Sequence, residues 1–387
     1  MKIAFDVQPL LQDDKSGIGY DEHELITRMI RQHSENEYYL EYFGKKSDVD
    51  INTKRISKYE TDYAMQISCT SFMGRLSRKI SKLLYIPYSI FFPEERDVTH
   101  FFNYIIPPGV KGKKVVTIHD MGFKVYPETV HPRTRLILNL TLKKSIKRAD
   151  VIVTDSEFSR KEICKFYNVN QENIKVVPCG VDCERFHPNY INEDIELVKM
   201  KYGIEKRSYI LFLGSIEPRK NLYRVVQAYC GLAKRINQEQ LPIMVMAGGK
   251  GWLNDDIYQE IEQSGLKKQF LFPGYIEEED LPLLYAGALF FCFPSLYEGF
   301  GIPPLEAMAC GTPVLTSDGN SLIEVVEDSA VTVDPLDVKA IEDGMYQLCV
   351  DENLRKTYRE KGILRAKDFS WENAMEKLYD IYEGLSI

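Results

Sequence analysis

No apolar run in this sequence approaches the roughly 20 residues that a membrane-crossing helix requires. The opening residues Met1-Lys2-Ile3-Ala4-Phe5-Asp6-Val7 form a short strand pattern without the apolar core of a secretion signal, so the chain is expected to stay in the cytoplasm. An excess of positive charge is also missing. Lys and Arg number 49 against 57 Asp and Glu, a net charge of -8, which argues against nucleic acid as the main partner. Metal-ligand spacing is absent too: the eight cysteines are scattered, Cys179 and Cys183 are the only close pair, and no second pair or histidine cluster accompanies them. Free thiols in a reducing compartment, and no metal site, are the expectation. Asp48-Val49-Asp50 spells a D-x-D triplet, but in an early polar stretch where a solvated turn is the simpler reading.

What is present suffices for two or three domains: 387 residues with 44% hydrophobic content. Charge is unevenly divided, with 29 basic and 25 acidic side chains in residues 1–190 and 20 and 32 in the remainder. Strand patterns at 2–7, 38–43, 98–103, 114–118, 151–154 and 174–177 alternate with helical patterns near 133–149 and at 157–167, the latter capped by Ser156. A second series of strands reads at 209–213, 243–247, 270–272, 289–293, 314–316 and 331–333. This alternation predicts an α/β protein with two doubly wound parallel sheets, whose ligands gather beyond the carboxyl ends of strands. The polar stretch 189–196 suits a linker, giving domains 1–187 and 188–368 with a closing helix in 369–387.

Several residues stand where such sheets do chemistry. Gly17 and Gly19 lie between the first strand and a helical pattern, where glycines admit a phosphate or simply pack. His119-Asp120 follows the apolar run 115–118; the pair can bond a ligand, act as a base or cap the next turn. Arg219 and Lys220 lie between a strand and a helix, suited to a diphosphate or to an ordinary exposed ion pair. Residues 72–84 are amphipathic, with Arg75, Arg78, Lys79 and Lys82 off the apolar face. They read as a core-facing helix with a solvated side, or as a surface for anionic lipid or a lipid-diphosphate acceptor. Lys143, Lys144, Lys147 and Arg148 in a second helix favour the membrane reading, with the inner face of the plasma membrane as the place of contact.

The most informative stretch is 291–314, F-C-F-P-S-L-Y-E-G-F-G-I-P-P-L-E-A-M-A-C-G-T-P-V. It reads as strand, glycine turn, a helix opened by Pro303 and Pro304 with Glu306 in its first turn, and a second strand. The amides of Gly299, Phe300, Gly301 and Ile302 would face an anion at the helix start, and Glu298 beside them suits sugar hydroxyls. With Glu298 and Glu306 at E-x7-E spacing, the stretch resembles retaining glycosyltransferases of family 4, bacterial surface-polysaccharide type. The family's fold, GT-B, consists of two Rossmann-like domains facing across a cleft.

The resemblance extends through Thr117-Ile118-His119-Asp120, Val177-Pro178-Cys179-Gly180-Val181-Asp182 and the Glu217-Pro218-Arg219-Lys220-Asn221 segment. It implies transfer of a sugar, with anomeric retention, from a nucleoside diphosphate sugar to a saccharide or lipid-linked saccharide acceptor. By the same resemblance Glu298 and His119, with Asp120 as helper, attend the transferred sugar. Gly17, Gly19, Arg219, Lys220 and the amides of 299–302 hold the diphosphate, and Glu306 the ribose. Gly248, Tyr275 and Ile276 border the base. No metal or other cofactor is implied, because protein cations do that work. Ser215 departs from the pattern, since many relatives carry arginine there, and Arg219 is the available substitute. GDP-mannose is the first-guess donor. No side chain stands out as a nucleophile, which favours front-face attack with the departing phosphate taking the acceptor's proton. The alternative function is an inactive nucleotide-sugar sensor or partner subunit of the same fold.

Overall fold

A computed structural model describes residues 1–11, 17–43, 86–205, 207–249 and 255–386, together with the backbone of 65–70. The amphipathic stretch 72–84 and the Asp48-Val49-Asp50 triplet lie outside the described residues. The chain divides into two compact units, Met1–Gly180 with Trp371–Ile387, and Val181–Ser370. The division thus falls ahead of the polar stretch at 189–196, because Val181 already belongs to the second unit, its amide donating to the Phe369 carbonyl at 3.0 Å. Among the described residues no helix is long and apolar enough to cross a membrane.

Among the described residues the first unit is built on seven parallel strands in the order β3-β2-β1-β4-β5-β6-β7. They are β1 (Lys2–Asp6), β2 (Glu37–Phe43), β3 (Met65–Thr70), β4 (Val98–Phe101), β5 (Lys113–Thr117), β6 (Val151–Thr154) and β7 (Ile174–Val176). Strands buried on both faces read as apolar runs rather than as alternation, and Ile3, Ala4 and Phe5 of β1 are fully buried. Helices α1 (Gly17–Gln32), α2 (Pro132–Arg148) and α3 (Glu157–Tyr167) connect the strands. Ser156 caps α3 by accepting from the Ser159 amide at 3.1 Å, and Asn168 ends it in the left-handed conformation. The closing helix Trp371–Ser386 belongs to this unit and packs on α1. Its Tyr382 lies against Phe5 and hydrogen-bonds His100, and Glu372 accepts from Arg28 at 2.7 Å.

The described residues of the second unit form six parallel strands in the order β10-β9-β8-β11-β12-β13. These are β8 (Tyr209–Leu213), β9 (Ile243–Ala247), β10 (Phe270–Gly274), β11 (Phe290–Phe293), β12 (Val314–Ser317) and β13 (Val331–Val333). Central β8 pairs with β9 in the register Tyr209 to Ile243, and with β11 through Ile210 to Phe290. Helices α4 (Leu222–Leu232) and α5 (Ile302–Ala309) follow β8 and β11 and bury their apolar faces.

Candidate active site

The order of the second sheet reverses between β8 and β11, the place where doubly wound sheets open a crevice beyond their strands. The segments leaving these two strands converge there. After β8 a single turn of 3-10 helix, Pro218–Lys220, carries both cations. Asn221 then adopts a left-handed conformation, φ 62°, which asparagine tolerates. Its side-chain amide donates to the carbonyls of Pro294 at 3.0 Å and Pro335 at 2.6 Å, so the turn is tied to the loops after β11 and β13.

Glu298, in the loop after β11, is buried between those cations. Its Oε1 accepts from Lys220 Nζ at 2.7 Å and its Oε2 from the Arg219 guanidinium at 2.7 Å. The same guanidinium donates to the Tyr297 carbonyl and to Glu217 Oε1, both at 2.9 Å. Lys220 Nζ also stands 4.6 Å over the Phe293 ring. Burial alone would raise the pKa of Glu298, but the adjacent Arg219 and Lys220 overcome it and hold the carboxyl at about 2. Burial in turn pulls Lys220 below its ordinary range, against the opposing pull of Glu298. Two cations reserved on sequence grounds for a diphosphate are therefore already neutralised by protein carboxylates.

The loop that carries Glu298 is rigidly held. The Ser321 hydroxyl lies 2.8 Å from the Glu298 carbonyl and 2.9 Å from that of Phe300. Gly301 has φ 126°, and a Cβ there would stand 2.6 Å from Leu322 Cδ2, so only glycine fits. Because Pro303 and Pro304 carry no N–H, backbone donors at the start of α5 end with Ile302. Glu306 falls in the second turn of α5 rather than the first, and its Oε2 accepts from the buried Tyr285 hydroxyl at 3.0 Å. At the end of β9, Gly248 has φ 131°; a Cβ there would lie 2.2 Å from the Gly214 carbonyl oxygen. Its glycine is explained by this close approach of strand ends. Tyr275, beyond β10, is exposed, and Ile276 next to it is buried.

In the first unit, His119 sits at the carboxyl end of β5 with both ring nitrogens engaged. Nδ1 is 2.8 Å from Asp155 Oδ2, and Nε2 is 2.8 Å from the Phe102 carbonyl. A carboxylate on one side and a carbonyl on the other require both nitrogens to donate, which describes an imidazolium. Burial opposes that charge, but Asp155 and then Asp21 raise the pKa to about 9. Asp21, also buried, is pushed up to about 7 by burial and by Asp155. A ring hydrogen bond from His119 to a sugar would need one of the two internal bonds to give way. Asp120 accepts from the Gly122 amide at 2.9 Å, capping the next turn. Gly17 and Gly19 lie in the first turn of α1 rather than in a turn before it, and Asp21 follows on the same helix.

The family description Glycosyl transferases group 1 matches residues 194–365, and Glycosyltransferase Family 4 matches residues 87–185. Across 395 aligned positions the sequence is 32% identical to O-antigen chain mannosyltransferase B of Escherichia coli, covering 100% of both chains. The chain is a family 4 glycosyltransferase. Among solved structures, this glycosyltransferase matches Anabaena HepE in complex with UDP and glucose, TM-score 0.73 at 16% identity, over 99% of this chain and 100% of that one. It also matches WaaG, a glycosyltransferase involved in lipopolysaccharide biosynthesis, TM-score 0.72 at 18% identity, over 99% and 100%. Its fold is GT-B.

Each unit thus holds candidate features that sequence reasoning passed over. Asp155 and Asp21, which make His119 cationic, carry no local motif; the one available signal is an aspartate at the carboxyl end of β6, next to β5 in the sheet. The ion pairs of Glu298 with Arg219 and Lys220 join residues 79 and 78 positions apart. Adjacency of β8 and β11 creates them, and no spacing within the sequence announces it.

Proposed function

We propose that this glycosyltransferase moves a hexose, with mannose as first assignment, from a nucleoside diphosphate sugar to a saccharide or lipid-linked saccharide acceptor in surface-polysaccharide synthesis. The observation that carries the reading is the meeting of Arg219 and Lys220 with Glu298 where the strand order reverses. An ionised Glu298 can only accept hydrogen bonds, so it suits the donor sugar's hydroxyls, while the two cations suit the diphosphate. As the sugar bond breaks, negative charge grows on the leaving diphosphate, and fixed cations with the amides of 299–302 stabilise it without a metal ion. Glu306, held by Tyr285, suits the ribose, and Tyr275 with Ile276 and Gly248 suits the base. The full-length relative's description as an O-antigen chain mannosyltransferase supports mannose and a polysaccharide acceptor.

For the sugar to keep its anomeric configuration without a protein nucleophile, the acceptor hydroxyl attacks from the face the diphosphate leaves, and a diphosphate oxygen takes its proton. Glu298 serves poorly as a nucleophile, since both its oxygens are committed to cations. The test is a turnover panel of GDP-mannose, UDP-glucose, UDP-N-acetylglucosamine, UDP-galactose and dTDP-rhamnose in EDTA, with Lys220→Ala alongside. One donor bound and turned over, retention of the anomeric configuration by NMR, and loss of nucleotide binding by roughly 10-fold or more in the variant are expected. A requirement for a divalent ion, or a sugar covalently trapped on Glu298, would overturn the scheme.

A further inference from the structure

A carboxylate as buried as Glu306, 7% exposed, has lost its water and needs donors within the protein. The Tyr285 hydroxyl supplies one, 3.0 Å from Oε2, and a phenol proton on an ionised carboxyl makes a charge-assisted bond. The donor is itself fixed. Tyr285 is fully buried in the helix Leu281–Ala286, its ring set edge-on to Phe291 at 5.3 Å and to Phe186 at 6.1 Å. Its carbonyl accepts from the Thr312 hydroxyl at 2.6 Å, and the Thr312 amide donates to the Ala307 carbonyl of α5 at 2.9 Å. Tyr285 therefore reaches α5 twice, through its backbone to the end of the helix and through its hydroxyl to Glu306. The last torsion of a glutamate is broad, so its carboxylate plane turns unless something holds an oxygen. The Tyr285 bond holds Oε2 and so sets that plane. With roughly four lone pairs, a carboxylate can keep this bond and still accept from the two neighbouring hydroxyls of a ribose.

We propose that Tyr285 is a positioning residue which, through Glu306, makes the site select a ribose with its paired 2′- and 3′-hydroxyls over a 2′-deoxyribose. This role rests on Glu306 being the ribose ligand, as proposed above, and adds the group that sets its aim. It also narrows the donor class, because a dTDP-sugar lacks the 2′-hydroxyl and is disfavoured on that account against GDP- and UDP-sugars. Calorimetric titration compares GDP with 2′-deoxy-GDP, and UDP with 2′-deoxy-UDP, on the wild type, Tyr285→Phe, Glu306→Gln, their double variant and Thr312→Val. The wild type should prefer the ribonucleotide by roughly 10-fold or more, the weight of a hydrogen bond to a charged group. Tyr285→Phe removes one oxygen and keeps the ring; it should shrink that preference at least roughly threefold. In turnover it should raise KM with kcat unchanged, since ribose binding serves ground and transition states alike. Glu306→Gln should shrink the preference at least as much, and adding Tyr285→Phe to it should change nothing further. Thr312→Val keeps the phenol and removes only its backbone anchor, so it should shift the preference the same way by less; it decides the matter if Tyr285→Phe melts below the titration temperature. A bond that merely stabilises the fold would lower the melting temperature of Tyr285→Phe and weaken both nucleotides equally. Such an unchanged preference, with Glu306→Gln losing it, overturns the role of Tyr285 and leaves the ribose reading standing. A preference that survives Glu306→Gln, or is absent from the wild type, overturns both.

Discussion

Replacing Glu298 by glutamine should make the protein bind nucleoside diphosphate more tightly while destroying turnover. The carboxylate bonds both Lys220 Nζ and the Arg219 guanidinium at 2.7 Å. A diphosphate seeking those donors must share or displace an existing ionic bond. Glutamine keeps the size of the side chain and removes its charge, and with one acceptor oxygen in place of two it leaves one charge-assisted hydrogen bond short, worth about 1.5–3 kcal/mol. If the diphosphate recovers that ~1.5–3 kcal/mol, affinity rises roughly 10- to 100-fold. Without ligand the variant should be less stable by about 3 kcal/mol, because a buried pair has lost one partner. The shift in melting temperature on adding nucleotide should therefore be larger than in the wild type. Calorimetric titration with GDP and UDP, alongside turnover of the matching sugar donor, reads both effects. Nucleotide affinity equal to the wild type or weaker would refute the reasoning, for it would mean that Arg219 and Lys220 do not face the diphosphate.

Three further tests address other parts of the fold. Gly301→Ala forces a Cβ to 2.6 Å from Leu322 at a positive φ; it should lower stability by about 1–3 kcal/mol and cut turnover well beyond that loss, as a melting curve and a rate measurement would show. His119 binds its proton up to about pH 9 when folded but releases it near its ordinary value of 6.5 when unfolded. Its contribution is therefore whole below about pH 6.5 and is lost as pH rises towards 9, on the order of 3 kcal/mol; chemical denaturation across this range should show the decline, and His119→Asn should flatten it. Trp371→Ala removes a fully buried ring from the first unit and should cost about 3–5 kcal/mol there, while nucleotide titration of the variant at low temperature should match the wild type.

Legibility followed the range of the interaction. The strand at 209–213, the cap at Ser156 and the closing helix were readable because apolar periodicity and cap chemistry act over a few neighbouring residues. The stretch from Glu298 to Glu306 was readable because its glycines and prolines each answer a local backbone demand. Gly17 and Gly19 misled for the same reason: a glycine pair after a strand suggests a turn, yet α1 already begins at Gly17. Gly248 owes its identity to the Gly214 carbonyl, on a neighbouring strand end far away in sequence. The cationic state of His119 depends on Asp155 and Asp21, on β6's end and α1, and so on sheet order rather than on any pattern around residue 119.

The placement of the closing helix bears on how the polypeptide is made. The ribosome delivers the whole of the first sheet, then the entire second unit, and only afterwards Trp371 and Tyr382, which complete the first unit's core. Until then Phe5 lacks the cover that Tyr382 gives it, whereas the second unit is one continuous stretch. Met1 and Ser386 lie side by side, the Ser386 hydroxyl 3.0 Å from Met1 Sδ. A circular permutant opened between Gly180 and Val181, with a short linker joining these two residues, would make each unit an uninterrupted stretch and let them fold one after the other.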